Sequence, residues 1–415
     1  MKTKIVTVAV FTLTAVTIAL YPMAKHVLAN ALPVIHPVVA LALPPKITPV
    51  ALPVTHVVNQ RPKIEVVFVL DTTSSMSGLI ETAKEKIWSI ASSMASADTA
   101  PEIRMGLVAF RDRGDAYVTR VVDLSTDLDS VYATLMDFRA QGGGDGPESV
   151  NQALYDAVHG ISWSQDPNSY KVVFLVGDAP PHMDYPNEVK YPETLSVAAS
   201  RGITVNTIQS GQHGDTVKPW KEIASLSQGH YFQVDQAGSA VAIATPFDRQ
   251  LAKVSKDLDA TRLYHGTEEE KVKQRAKRDA TAKLHKESSE AAQARRATFN
   301  ASASGAGNFL GEKELVDEVA SGRVDLSSIE RDQLPEPMQA MSPAEQRIHI
   351  DTKAKKRQKL QQEIKDLARQ RKSYLDQQVN KLEGADDSLD YRIFGAVREQ
   401  AGKRGISYET KTPAL

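Results

Sequence analysis

The chain has 415 residues, more than one compact core holds, so two or three domains are expected. A formal net charge of −1 leaves no overall basic field for nucleic acid, and the absence of cysteine removes disulfides, thiolate metal sites and cysteine nucleophiles together. A usage of 41% hydrophobic and 24% charged residues is that of a soluble globular protein rather than a disordered or membrane-filling chain.

Lys2 and Lys4 precede an uncharged run from Ile5 to Ala24, a positive n-region followed by an apolar segment. Ala29-Asn30-Ala31 offers a small-residue cleavage site, while the length of the run also suffices to span a bilayer. Residues 1–31 are therefore expected to act as an export signal, either cleaved or kept as a membrane anchor. The remainder would then be extracytoplasmic, whether secreted, periplasmic or anchored. Prolines at 33, 37, 44, 45, 49, 53 and 62 block both helix and central strand, so residues 32–62 read as an extended, semi-rigid linker.

From Lys63 to about residue 260, strands and helices alternate. Glu65 to Leu70 is an apolar, β-branched strand ending at Asp71, and Ser77 to Ala95 places Leu79, Ile80, Ala83, Ile87, Ile90 and Met94 at helical spacing. Met105–Phe110 and Tyr117–Leu124 read as strands and Ser130–Phe138 as a short helix. The run Gly142–Gly144 leads to Pro147 and a helix through Val158. Lys171–Val176 is a second buried strand, ending in Gly177-Asp178, and Thr204–Gln209 and His230–Val234 follow as later strands. Continuous apolar strands alternating with helices predict an α/β, doubly wound, mostly parallel sheet over residues 63–260.

Residues 261–415 read as charged and α-helical. Thr267–Glu270 and Ser342–Glu345 have the form of capping boxes at helix starts. Leu360, Ile364, Leu367, Leu375, Val379 and Leu382 lie along one face of a helix over 343–382, which gives it coiled-coil character with a slip near Arg371. This region is expected either to self-associate through 343–382 or to fold back on the α/β domain.

Ligands of open α/β sheets bind at the carboxyl ends of strands. Three such loops here carry oxygen ligands: Asp71-Thr72-Thr73-Ser74-Ser75, then Gly144-Asp145-Gly146-Pro147-Glu148, then Asp178. Hydroxyl and carboxylate oxygens suit a hard divalent cation such as Mg²⁺, Ca²⁺ or Mn²⁺. Each loop also has a plainer account. DTTSS can serve as a helix N-cap, Glu148 as first-turn charge and Asp178 as a turn residue. Three oxygen-rich loops at one sheet end favour the cation.

The sequence resembles the von Willebrand factor A domains. Asp71-x-Thr73-x-Ser75-Met76 is similar to the first motif of their metal-ion-dependent adhesion site. Gly143-Gly144-Asp145-Gly146-Pro147-Glu148 resembles the second motif in its hemicentin-type and integrin β I-like form, and Asp178 stands where the family has its third acid. The resemblance implies that Thr73 and Ser75 bind the metal directly, and that Asp71 and Asp178 bind it closely or through water. Glu148 would take the place of the family's second-loop threonine. An open position would then accept a carboxylate from a partner protein. Unlike integrin β, Ser77-Gly78-Leu79 supplies no aspartate pair for an adjacent ion. Asp145 is a weaker candidate for a second ion.

Other motifs are read as incidental. Arg113-Gly114-Asp115 is placed in a turn between strands, His182 is expected to be a solvent-exposed loop residue, and Asn300-Ala301-Ser302 is a glycosylation sequon only in a host with that machinery. The basic stretches Lys271–Arg278 and Lys353–Lys359 are flanked by acids and lack aromatics, as solvated helix faces do. No nucleophile–base pair stands out, so no enzyme is expected. The function predicted is metal-dependent protein recognition. Two alternatives from other classes are an assembly factor that oligomerises through its C-terminal helices and a metal-dependent hydrolase.

Overall fold

A computed structural model describes residues 61–144, 146–236, 243–379, 381, 388–410 and 412–414. The expected signal or anchor at 1–31, nearly all of the proline-rich linker, and Asp145 lie outside the described residues. No described helix is long and apolar enough to cross a membrane.

The elements follow in chain order: β1 (Lys63–Asp71), α1 (Ser77–Ala95), β2 (Glu102–Phe110), β3 (Thr119–Ser125), α2 (Leu128–Leu135), α3 (Val150–His159), β4 (Tyr170–Gly177), α4 (Tyr191–Ser200), β5 (Ile203–Ser210), α5 (Gly214–Leu226) and β6 (Tyr231–Val234). Then come α6 (Asp248–Asp259), α7 (Glu268–Glu287), α8 (Glu290–Asn300), α9 (Ala306–Leu310), α10 (Leu315–Ala320), α11 (Pro343–Val379) and α12 (Leu389–Gly402). The six strands lie in the order β3-β2-β1-β4-β5-β6, all parallel except the β2–β3 pair. The doubly wound, mostly parallel sheet is thus as the alternation of elements predicts.

The period of two along each strand sorts the core into two faces. Ile64, Val66, Phe68 and Leu70 of β1 join Val172, Phe174 and Val176 of β4 against α1 and α2. Val67, Val69, Val173 and Leu175 point the other way, against α3, α4 and Trp220 of α5. Two elements begin where local bonding dictates rather than where periodicity suggests. The third helix starts at Val150, not Pro147, because Glu148 forms an isolated parallel bridge with Pro181 and its N–H donates to the Pro180 carbonyl at 2.9 Å. Strand β3 starts at Thr119, not Tyr117, because Tyr117 is held between the Arg111 and Arg120 guanidinium groups, 4.5 and 4.2 Å from its ring centre, and its hydroxyl meets Thr72 Oγ1.

The helical region does not stand apart. Residues 59–415 form one compact unit, so residue 260 marks a change of architecture within a single body. Both capping boxes form. Helix α7 packs on α2, α8 packs on α1, and α6 and α11 cover α8. Leu360, Ile364 and Leu367 of α11 lie in one apolar cluster with Leu251, Val254 and Leu258 of α6. The described residues of the stripe that suggests a coiled coil, Leu360 to Val379, are therefore covered by this chain itself. Helix α12 returns to the sheet and places Ile393, Val397 and Ala401 in the same core as β1 and α1. Its Gln400 accepts from the Tyr170 hydroxyl at 2.7 Å and donates to Asn206 Oδ1 at 2.8 Å.

Buried ion pairs stitch these layers. Lys86 meets Asp390 at 2.9 Å, Arg357 meets Glu314 at 2.8 Å, and Arg371 meets Asp248 at 2.8 Å. The fully buried Arg296 holds Asp129 of α2 at 2.5 Å and Asp259 of α6 at 2.7 Å. Asn300, the sequon residue, is buried, and its Oδ1 accepts from Asn308 at 2.7 Å.

Candidate cation site

The sheet changes winding direction between β1 and β4, and the crevice at that switch lies beside the carboxyl ends of both strands. The parallel register pairs Leu70 with Val176, which sets Asp71 beside Gly177 and just ahead of Asp178. The approach requires glycine. A Cβ on Gly177 would lie 3.0 Å from Asp71 Cβ and 3.1 Å from Asp71 Oδ2.

The loop after β1 splits its side chains between two duties. Thr72 turns toward the neighbouring strand, donating its hydroxyl to the Phe110 carbonyl at 2.8 Å. Ser74 donates to the Gly142 carbonyl at 2.8 Å, which ties this loop to the glycine run. Thr73 turns inward. Its N–H and its hydroxyl both donate to Asp71 Oδ1, at 2.8 and 2.7 Å, and its Oγ1 lies 3.3 Å from Ser75 Oγ. Neither Thr73 nor Met76, the residues that precede the two helical turns, makes a side-chain cap. The polar run is thus not spent on capping. The second Asp71 oxygen, Oδ2, is buried with no hydrogen-bond partner among the described residues. Burial pushes the Asp71 carboxyl up to about 7; the Thr73 bonds pull the other way, and the negative charge of Asp178 adds to the rise.

The flanking loops bring the other two predicted acids to the same sheet end. Glu148 is buried and lies outside the helix that follows it. A Cβ on Gly143, whose φ is +80°, would sit 3.2 Å from Thr73 Cβ and 3.3 Å from Glu148 Oε1, so Glu148 and Thr73 flank one point. Asp178 is held by its neighbours. Its carbonyl accepts from Thr216 Oγ1 at 2.8 Å, and its Oδ2 accepts from Gln236 Nε2 at 2.8 Å.

Among the described residues no three His, Cys, Asp or Glu side chains stand close enough to cage a metal by themselves. The donor set is instead one carboxylate and two hydroxyls in a single loop, with Asp178 and Glu148 on its flanks. Those residues fit a hard cation in two ways. All the donors are oxygens, and the orphaned, buried Asp71 Oδ2 lacks the counter-charge that a cation would give it.

Several residues near the site are not as the sequence suggests. His182 is buried, not exposed. Its ring stacks on Tyr185 with centroids 3.9 Å apart, and its Nδ1 lies 2.8 Å from Asp184 Oδ1. Asp112 beneath it accepts from Ser149 at 2.9 Å and from the Tyr185 hydroxyl at 2.5 Å. The Arg113-Gly114-Asp115 turn is a working part of this scaffold. Arg113 lies 4.1 Å over the Tyr185 ring, and Asp115 accepts from the Gly143 N–H at 3.1 Å. Gln236 and Thr216 carry no motif, and only their contacts with Asp178 reveal them.

Residues 65–246 match the family model of the von Willebrand factor A domain. This segment is a von Willebrand factor A domain, with the six-stranded sheet and switch-point crevice described above. The alpha-protein kinase vwkA of Dictyostelium discoideum is 28% identical over 181 residues, covering 39% of this chain and 28% of that protein. The chain thus spans little more than a quarter of that relative. Among solved structures, proximal thread matrix protein 1 of the mussel byssus aligns at 16% identity over 42% of each chain, with a TM-score of 0.33. A further structure of that mussel protein, with zinc in its MIDAS motif, aligns at 16% identity over 42% of each chain with a TM-score of 0.34. The SpRpn10 VWA domain aligns at 14% identity over 42% of this chain and 89% of its own, with a TM-score of 0.32.

Proposed function

We propose that the A domain is a recognition module in which Asp71, Thr73 and Ser75 hold a divalent cation, Mg²⁺ foremost and Ca²⁺ or Mn²⁺ as alternatives. Asp178 and Glu148 complete the set, and the open position takes a carboxylate from a partner protein. The observation that carries this reading is the buried Asp71 Oδ2, orphaned in a loop that caps no helix and that brings the Thr73 and Ser75 hydroxyls together. Ser75 is exposed, so the site faces solvent on the side a partner would approach. The Lys2/Lys4 segment and its apolar run support an extracytoplasmic setting. Recognition rather than turnover follows from the absence of a nucleophile–base pair among the motifs read above. Of the stripe behind the assembly reading, Leu360, Ile364, Leu367, Leu375 and Val379 are buried within the chain, and Leu382 lies outside the described residues.

The test is a Mn²⁺ titration by calorimetry, alongside capture of an immobilised acidic peptide with and without EDTA. Saturable binding to the wild-type chain is expected, lost in the Thr73→Ala/Ser75→Ala double variant. Peptide capture that survives both EDTA and the double substitution overturns the reading.

A further inference from the structure

We infer that Gln236 is a positioning residue of the cation site, clamping the first loop to the third through a single side-chain amide. The inference rests on the cation reading above. Gln236 Nε2 donates to the Ser75 carbonyl at 3.1 Å and to Asp178 Oδ2 at 2.8 Å. An amide NH₂ has two donors, and both are used.

The clamp is built from the strands beneath it. Strands β5 and β6 pair in parallel with Ser210 opposite Val234, and the Gly211 N–H donates to the Val234 carbonyl at 2.8 Å. Ser210 Oγ donates to the Gln236 carbonyl at 3.1 Å, which fixes the backbone from which the side chain reaches. Gly211 has φ +70°, and a Cβ there would fall 2.2 Å from Gln236 Oε1. Only glycine leaves the amide its seat.

The chemistry suits a cation site. Donation to one Asp178 oxygen fixes the rotation of the carboxylate and leaves the other oxygen for the ion. A lysine at this position would set a positive charge against the cation, whereas a neutral donor holds the carboxylate without that repulsion. Tying the Ser75 backbone to the same nitrogen sets the distance between the two loops before the cation arrives, so less ordering remains to be done on binding.

The test measures Mn²⁺ affinity by calorimetry, Mn²⁺ electron paramagnetic resonance lineshape at saturation, and Tm for the full wild-type chain, Gln236→Met, Gly211→Ala, their double variant and Thr73→Ala. Methionine keeps the length and removes the donors. Gln236→Met is expected to weaken Mn²⁺ binding by about 10- to 100-fold, the range for the loss of outer-sphere partners, and to alter the lineshape while Tm holds, because the side chain is exposed. Gly211→Ala should weaken binding similarly and add nothing in the double variant. Wild-type affinity and lineshape in Gln236→Met, with binding lost in Thr73→Ala, overturns the clamp and leaves the cation reading standing. A parallel fall in Tm makes Gln236 merely structural and also overturns it. No binding by the wild-type chain overturns both.

Discussion

Replacing Arg296 with methionine tests whether the helical layer and the α/β layer are one folding unit. The guanidinium is wholly buried and makes four hydrogen bonds to two carboxylates: to Asp129 at 2.7 and 2.5 Å, and to Asp259 at 2.7 and 3.2 Å. Burial alone would raise both carboxyls, but the Arg296 charge and its hydrogen bonds hold them below the usual carboxylate range. Methionine fills much of the space and leaves two buried anions with less compensation. Loss of one partner of a buried pair costs about 3–5 kcal/mol. Against a total of roughly 5–15 kcal/mol, that is a Tm drop on the order of 10 °C. The pH dependence has a definite sign. Both folded-state pKa values are depressed, so the wild-type contribution is present above the unfolded carboxylate value, near pH 4. It is lost as pH falls through the lower folded values. The deficit of the variant should therefore be largest at neutral pH and narrow in acid. Urea unfolding monitored by tryptophan fluorescence at pH 7 and through the range from about pH 4 down to about pH 2 measures it. A loss below about 1 kcal/mol at pH 7, or a deficit that widens in acid, would refute the argument.

Two further outcomes follow from the packing. A fragment of residues 61–260 lacks α8 and α12, which cover α1, and should bind a hydrophobic dye and unfold without a cooperative transition; a sharp transition with native near-ultraviolet circular dichroism would contradict this. Gly177→Ala forces a methyl group to within 3.0–3.1 Å of Asp71 and the Trp220 ring, so it should cost about 1–3 kcal/mol and reduce Mn²⁺ affinity at the same time. Unchanged Mn²⁺ affinity in that variant would show that Asp71 is not held where the register puts it.

The α/β framework was legible wherever an element's own pattern decides its form. The buried β1 and β4 runs and the full span Ser77–Ala95 of α1 follow from periodicity alone. So did the three oxygen-bearing loops, because each directly follows a strand or precedes a helix. What stayed hidden depends on partners far away in sequence. Lys86 reads as a solvated helix residue until Asp390 arrives beside it. A loop histidine reads as exposed until Tyr185 stacks on His182. Gln236 is a lone amide after a short strand, and nothing local distinguishes it from any other loop glutamine. The apolar face of α11 was visible, but its companion was not, because the same stripe serves a coiled coil or an in-chain core equally well.

The return of α12 to the sheet also sets a schedule for synthesis. Lys86 leaves the ribosome 304 residues before Asp390, its buried partner. At about 5–20 residues per second, α1 waits roughly 15 to 60 s for the helix that completes its cover. Through that interval the part of α1 that α12 covers and the ammonium group of Lys86 are open to whatever else is nearby. Nascent chains stalled before residue 389 should therefore hold chaperones longer than those stalled after residue 402.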